Sequence, residues 1–371
     1  MAVDDRPRVV GDLDERGLLE LVLPRAGTGR GVPGVVVPAG DDAAVLVGSE
    51  PLVATTDTLV RGSDWRDDWS TGDDVGHKAI AQNAADVAAM GGRCAGFLLT
   101  LAADPDTSLD WVLALADGIG QGAARAGAPV VGGDLSSAPA GVLIVSVTAL
   151  GALDGPAVTR AGARPGHRLA LAGTLGRSAA GLELLVGGVL AADERSVAAE
   201  CLALHRRPTP PLAAGPAAAA AGASAMIDLS DGLARDAHRV ARASGVALVL
   251  DPAAVAVHAD HVAQAVGRSA ARRCVLTGGE EHSLLAAFPP DAQIPPPFAV
   301  VGEVVAEPGR RRERETVHGH DDGGHDAEEQ GHGERHAQPL LHRTDLPTDQ
   351  PAAPRSDARH AKRNHRTRQP P

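Results

Sequence analysis

A chain of 371 residues is long enough for two domains and a large core, and a formal net charge of −12 argues against nucleic acid or an anionic membrane as a main partner, since both call for basic patches. Three widely spaced cysteines, Cys94, Cys201 and Cys274, show no CxxC pattern, which points to reduced thiols in a cytoplasmic protein rather than a disulfide framework. Lysine occurs only at Lys78 and Lys362, so no GxxxxGK[ST] phosphate loop exists and any bound phosphates must be neutralised by metal ions, arginines or backbone amides.

The start, MAVDDRPRVVGDLDE, has no apolar core of a secretory signal, and the most apolar run, 142–153, is too short to span a membrane. Residues 10–23 read as a short helix capped by Asp12 or Asp14, followed by a Gly- and Pro-rich loop over 27–40. Strands are expected at 43–47 and 51–60, joined by a Gly48-Ser49-Glu50 turn. A polar loop then leads into an Ala-rich helix over 76–92, bounded by glycines and apolar nearly all round. Lys78, Gln82 and Asp86 fall at i, i+4 and i+8 on it, with Asn83 beside them, so one polar stripe points in a single direction. A buried Asp86 needs a partner, and the sequence offers Lys78 or a metal ion. Strand 97–103, helix 108–125 and strands 128–134 and 142–151 complete an α/β or α+β domain ending near residue 150. The second half reads as a strand after GARPG, helices over 178–190, 194–204 and 212–221, and a strand, turn and helix in AMIDLSDGLARDAHRVARASG. It closes with a strand at VALVL, a helix over 256–273, and strands at SLLAAF and AVVGEVV. From Pro308 the composition turns to Arg, His, Asp, Gln and Pro without apolar periodicity, the signature of a disordered tail.

Acidic motifs recur at strand ends and adjoining turns: Gly40-Asp41-Asp42, Thr55-Thr56-Asp57, Gly132-Gly133-Asp134 and Asp228-Leu229-Ser230-Asp231-Gly232. Singly, each has a structural reading, as a turn in which Asp bonds its own backbone or as a helix cap. Together with Asp86, these carboxylates would repel one another unless hard divalent cations joined them, and Mg2+ takes carboxylate oxygens while bridging to phosphates. That points to an Mg-nucleotide site. Gly132 and Gly133 would admit phosphate to backbone amides, Ser230 would donate a hydrogen bond, and Arg160 would pair with phosphate oxygens or stand solvated in its loop. TGGEEH, 277–282, reads as a turn or as a ligand contact through Glu280. Trp65 and Trp69 read as a lid over a flat ring or as anchors of their loop.

In order and spacing, AGDDAAVL, TTDTLV, KAIAQNAADVAAMGG, VGGDL, TRAGARPG, GRSAAG, MIDLSDGL and TGGEEHSLLA resemble thiamine-monophosphate kinase, a family of the aminoimidazole ribonucleotide synthetase-like superfamily. The likeness spans about 9–305. It implies a two-domain α/β (α+β) fold with mixed sheets covered by helices, divided into an N-terminal metal, ATP and dimerisation domain over 1–150, a C-terminal α/β domain over 151–307 and the tail over 308–371. It also implies a homodimer, and direct in-line transfer of the ATP γ-phosphoryl group to thiamine monophosphate, giving thiamine diphosphate. By the same likeness Asp42, Thr55, Thr56, Asp57, Asp86, Asp134 and Asp228 hold several Mg2+ ions, with Asp231 near a further one. Gly133, Asp134, Arg160 and Ser230 touch ATP, and Glu280 touches the substrate. Asp57, Asp86 and Asp134 carry the catalytic metals. Three departures stand out: Asp64 replaces a histidine near the substrate, Glu281 replaces an Asp after GGE, and the tail has no Phe, Trp or Tyr where the family ends in an aromatic segment. Related enzymes with another substrate, or a non-catalytic nucleotide- and metal-binding protein, are the competing readings.

Overall fold

The computed structural model describes residues 8–13, 15–27, 31, 35–37, 45–47 and 51–307. Asp42, the 48–50 turn and the tail from 308 therefore lie outside the described residues.

In the first half, a 3-10 turn at Val10–Asp12 precedes α1 (Glu15–Ala26), so the single helix expected over 10–23 is broken. The Asp12 carboxylate accepts the Val9 N–H at 2.9 Å and thereby closes the first turn on itself. Next come β1 (Val35–Val37), β2 (Val45–Leu46), β3 (Leu52–Val60), α2 (Gly72–Ala89), β4 (Arg93–Ala103), α3 (Leu109–Ala126), β5 (Val130–Ser137) and β6 (Leu143–Ala152). β1 and β2 form a small antiparallel pair, and β1 arises within the segment expected to be loop. The main sheet has the order β3-β6-β4-β5, with β4 and β5 parallel and the other pairs antiparallel. A helix, α3, makes the β4-to-β5 crossover, as a parallel pair requires.

α2 starts at Gly72, one turn earlier than its flanking glycines suggest, because Thr71 and Asp74 form a capping box. Gly76 is therefore interior, and its role is spatial. A Cβ there would stand 2.4 Å from the Leu115 carbonyl oxygen of α3, and one on Gly118 of α3 would stand 2.1 Å from that of Asp73. Glycine on both helices lets the backbones touch. Gly76→Ala is accordingly expected to destabilise the protein by about 1–3 kcal/mol, read as a lowered denaturation midpoint, because backbone rather than a flexible side chain must yield.

The second half contains β7 (Arg168–Ala172), α4 (Arg177–Val186), α5 (Val197–Arg206), α6 (Ala214–Ala220), β8 (Ala225–Asp228), α7 (Leu233–Ser244), β9 (Val246–Leu250), α8 (Pro252–Val266), α9 (Arg268–Thr277), β10 (Leu284–Phe288) and β11 (Ala299–Ala306). Its sheet, β8-β10-β7-β11-β9, is antiparallel at every pairing. The helix expected over 256–273 is two helices, because Gly267 at φ 78° ends α8 and opens α9.

One core lies among α2, α3 and the first sheet, and another beneath the second sheet around Leu169, Ile227, Val275 and Leu285. A third joins Ala88 and Ala89 of α2 to Met226, Leu284 and Phe288 of the second sheet. This last cluster brings the inner stripe of α2 against the ends of β8 and β10, where the acidic motifs of the two halves meet.

Candidate active site

β3 alternates, so Thr55, Asp57 and Leu59 point inward while Thr56 and Thr58 point to the other face. Thr55 donates its hydroxyl to Asp86 Oδ2 of α2 at 2.7 Å. Thr56 instead donates to the Val147 carbonyl at 3.0 Å and accepts from Thr148 at 3.0 Å. Of the two threonines, only Thr55 reaches the inner carboxylates.

Asp57, Asp86 and Asp228 form one electrostatic group. Burial raises the Asp86 pKa to about 6, with the Asp228 and Asp57 carboxylates adding to the shift. Burial also raises that of Asp57, reinforced by Asp228 and Asp64 and opposed by His282. Asp228, at the buried end of β8, accepts from His282 Nδ1 at 3.1 Å. Lys78 is not the partner of Asp86: its ammonium, on a side chain only 4% exposed, bonds Glu280 Oε2 at 3.0 Å. Among the described residues no lysine or arginine forms an ion pair with Asp57, Asp86 or Asp228, so beyond His282 the group lacks a compensating cation.

A second cluster adjoins it. His205 Nδ1 stands 3.4 Å from Glu280 Oε2, and Asp64 interacts with both Lys78 and Glu280. Burial disfavours ionised Glu280, yet Lys78 and His205 hold its pKa below the usual value. Burial and the Lys78 charge press His205 down to about 4, so it is neutral at physiological pH. Asp64 accepts the Val60 N–H at 2.8 Å, and burial raises its pKa.

The remaining predicted residues make contacts of their own. Asp134 is level with Thr100 of β4, which is level with Ser146 and then Thr58, so it shares the outer face with them. It accepts the Ser136 hydroxyl at 2.6 Å. The period of two that turns Asp57 inward turns Asp134 toward the other face of the sheet. Gly133 belongs to the Asp57 row, but its missing side chain serves the backbone: a Cβ would stand 1.9 Å from the Leu99 carbonyl oxygen. Asp231 is already neutralised by Arg239 at 2.5 Å. Ser230 accepts the Glu280 N–H through its carbonyl at 2.9 Å, and exposed Arg160 accepts the Ser244 hydroxyl through its own at 3.1 Å. Trp65 is an anchor, 5% exposed and stacked on Trp111 at 5.9 Å, whereas Trp69 carries Arg66 over its ring at 4.4 Å.

Two roles escaped the sequence. Glu281 accepts the Ser178 and Arg177 N–H groups at 2.9 and 3.4 Å, capping α4 from a distant loop. His282 bonds Asp228 and acts electrostatically on Asp57, Asp86 and Glu280. Both follow TGG in a loop where Glu280 and His282 adopt φ 59° and 53°, a left-handed conformation that non-glycine residues seldom take. Paired glycines before three polar residues were the signal, but not which of the three turned inward.

Among the described residues, no three His, Cys, Asp or Glu side chains are placed to form a complete metal cage. That suits Mg2+, which uses one or two carboxylates with waters and substrate phosphates rather than an all-protein cage. The donor chemistry fits as well: hard oxygens, and carboxylates whose ionisation is opposed until a cation joins them.

Residues 40–153 match the AIR synthase related protein, N-terminal domain family, and 164–313 match the corresponding C-terminal domain family. Thiamine-monophosphate kinase of Mycobacterium tuberculosis is 45% identical over 295 residues, covering 78% of this chain and 85% of that protein. The crystal structure of thiamine-monophosphate kinase from Stenotrophomonas maltophilia superposes with a TM-score of 0.68 at 30% identity, over 80% of this chain and 95% of that one. AaThiL complexed with AMPPCP and TMP superposes with a TM-score of 0.60 at 28% identity, over 82% and 94%. On this two-part match and this identity, the chain belongs to the thiamine-monophosphate kinase family of AIR synthase-related proteins.

Proposed function

We propose that the protein transfers the γ-phosphoryl group of ATP to thiamine monophosphate, giving thiamine diphosphate, with Mg2+ as cofactor. The observation that carries this reading is the Asp57–Asp86–Asp228 group, Asp228 buried and the other two half-buried, with no lysine or arginine ion pair among the described residues, in a chain 45% identical to a thiamine-monophosphate kinase. Asp57, Asp86 and Asp228 would be shared among several Mg2+ ions, each taking one or two of these carboxylates together with waters and nucleotide phosphates, with Asp42 a fourth candidate outside the described residues. The cation would supply charge neutralisation between the nucleotide phosphates and these carboxylates.

The chain's own groups then position and bind. Thr55 fixes one oxygen of Asp86, and His282 fixes one oxygen of Asp228. Glu280, held ionised by Lys78, offers a carboxylate to a cationic substrate ring, and Asp64 lies beside it. Among the described residues no side chain is assigned the part of a general base. Direct in-line transfer needs none, because phosphoryl transfer proceeds by positioning and electrostatic stabilisation. Ser230 and Gly133 remain candidates for ATP contact through their backbones, and Arg160 through its exposed guanidinium.

The outer face of the first sheet supports a homodimer: it carries exposed Leu52, Val60 and Leu98 beside Thr56 and Thr58. Metal and ATP binding with dimerisation is assigned to 1–150 and the remaining α/β body to 151–307. The described residues contain no helix long and apolar enough to cross a membrane.

The test is formation of thiamine diphosphate from ATP and thiamine monophosphate by the purified protein. Product is expected with Mg2+ and none after chelation by EDTA. ATP binding without product under any condition would favour a nucleotide-binding protein instead.

A further inference from the structure

The loop from Gly278 to Ser283 places the His282 ring, 3% exposed, among four carboxylates, and the reading below rests on the metal site just proposed. Its Nδ1 stands 3.1 Å from Asp228 Oδ2, and its charge also acts on Asp57, Asp86 and Glu280. A carboxylate oxygen accepts, so Nδ1 carries the hydrogen. The backbone is fixed for this purpose: His282 takes φ 53°, with its N–H donated to the Leu229 carbonyl at 3.0 Å, beside Asp228 itself. Asp86 is held in the same manner, one oxygen bonded by Thr55. In each case the second carboxylate oxygen has no hydrogen-bond partner among the described residues. On the far side of the ring, Nε2 is buried and likewise unpartnered. A buried polar atom left open in a protein of this kind marks a place where a bound water or ligand completes the structure.

We propose that His282 is a positioning residue for the divalent cation: it takes Asp228 Oδ2, leaves the other oxygen for the metal, and keeps Nε2 for a water or phosphate oxygen of the bound complex. Partners of this sort behind a metal ligand typically change affinity by about 10–100-fold when removed.

The test is Mn2+ binding to the full chain with AMPPCP present and thiamine monophosphate absent, followed by the EPR signal of the free ion against an AMPPCP-only control, with thermal melting in EDTA measured in parallel. His282→Phe, which keeps bulk and loses the donor, is expected to weaken Mn2+ binding about tenfold or more, whereas His282→Asn, whose amide lies where Nδ1 was, stays within about threefold of the wild type. A ring that merely fills space gives the opposite order, with Phe binding Mn2+ normally, and that result overturns the proposal. If the Phe variant does not fold, His282→Gln replaces it. Its amide reaches past Asp228, so weak binding by Gln and near-normal binding by Asn supports the proposal, and equal binding by the two overturns it. A wild-type chain that binds no Mn2+ overturns the metal reading and this inference together; normal binding by wild type and Phe alike overturns this inference alone.

Discussion

Asp86→Asn is expected to lower kcat for thiamine diphosphate formation by about three orders of magnitude or more, at saturating ATP and Mg2+, while the metal-free protein melts at a temperature no lower than the wild type. The two halves of this expectation share one cause. Burial and the neighbouring Asp228 and Asp57 carboxylates place the Asp86 pKa at about 6, above its ordinary value of 3.8. Protonation therefore favours the folded, metal-free chain, an advantage complete below pH 3.8 and lost as pH rises through about 6. At pH 7.5 the ionised group opposes folding until a cation compensates it, and asparagine removes that opposition while still accepting from Thr55. Steady-state kinetics and melting curves in EDTA at pH 5 and 7.5 check both halves. Near-normal turnover would contradict the assignment of Asp86 to the metal, and a large fall in melting temperature would show that its charge is compensated by something other than a bound ion.

Lys78→Met should cost about 3 kcal/mol of folding stability, measured by urea denaturation, and should raise KM for thiamine monophosphate more than it lowers kcat. Removing one member of a buried ion pair leaves the other charge uncompensated, and the Lys78 side chain is only 4% exposed. The figure sits at the low end for such pairs because Glu280 keeps 35% of its side chain open to solvent, which screens its charge. Glu280→Gln tests the partnership: if the pair is real, the loss caused by Lys78→Met is smaller in that background, whereas simple additivity would show that the contact carries no energy.

What could be read without coordinates was whatever local chemistry determines. The Ala-rich stretch before Met90, the Ser108 cap of α3 and the alternating run 142–151 carry their structure in their own side chains, and each forms an element where expected. Boundaries failed where a neighbour decided them. Gly76 looks like a helix end until α3 is packed against it, and Gly267 divides one apolar run into two helices. The acidic motifs were visible, but their facing was not. Asp57 and Asp134 stand on the two edge strands of the sheet, with two strands between them, and only the register shows that they lie on opposite faces. The sequence offers Lys78 as a partner for Asp86, whereas its counterion is Glu280, 202 residues away and beyond any periodicity argument. Glu281 and His282 act through a left-handed loop that composition does not announce.

The Lys78–Glu280 pair also bears on how the chain comes into being. During synthesis Lys78 emerges 202 residues before Glu280, so this ion pair can form only once the second half has been made. Ala88 and Ala89 likewise meet Met226 and Phe288 only then. Final closure of the molecule thus falls to the last strands made, an order of assembly in which late, non-local contacts set the pace.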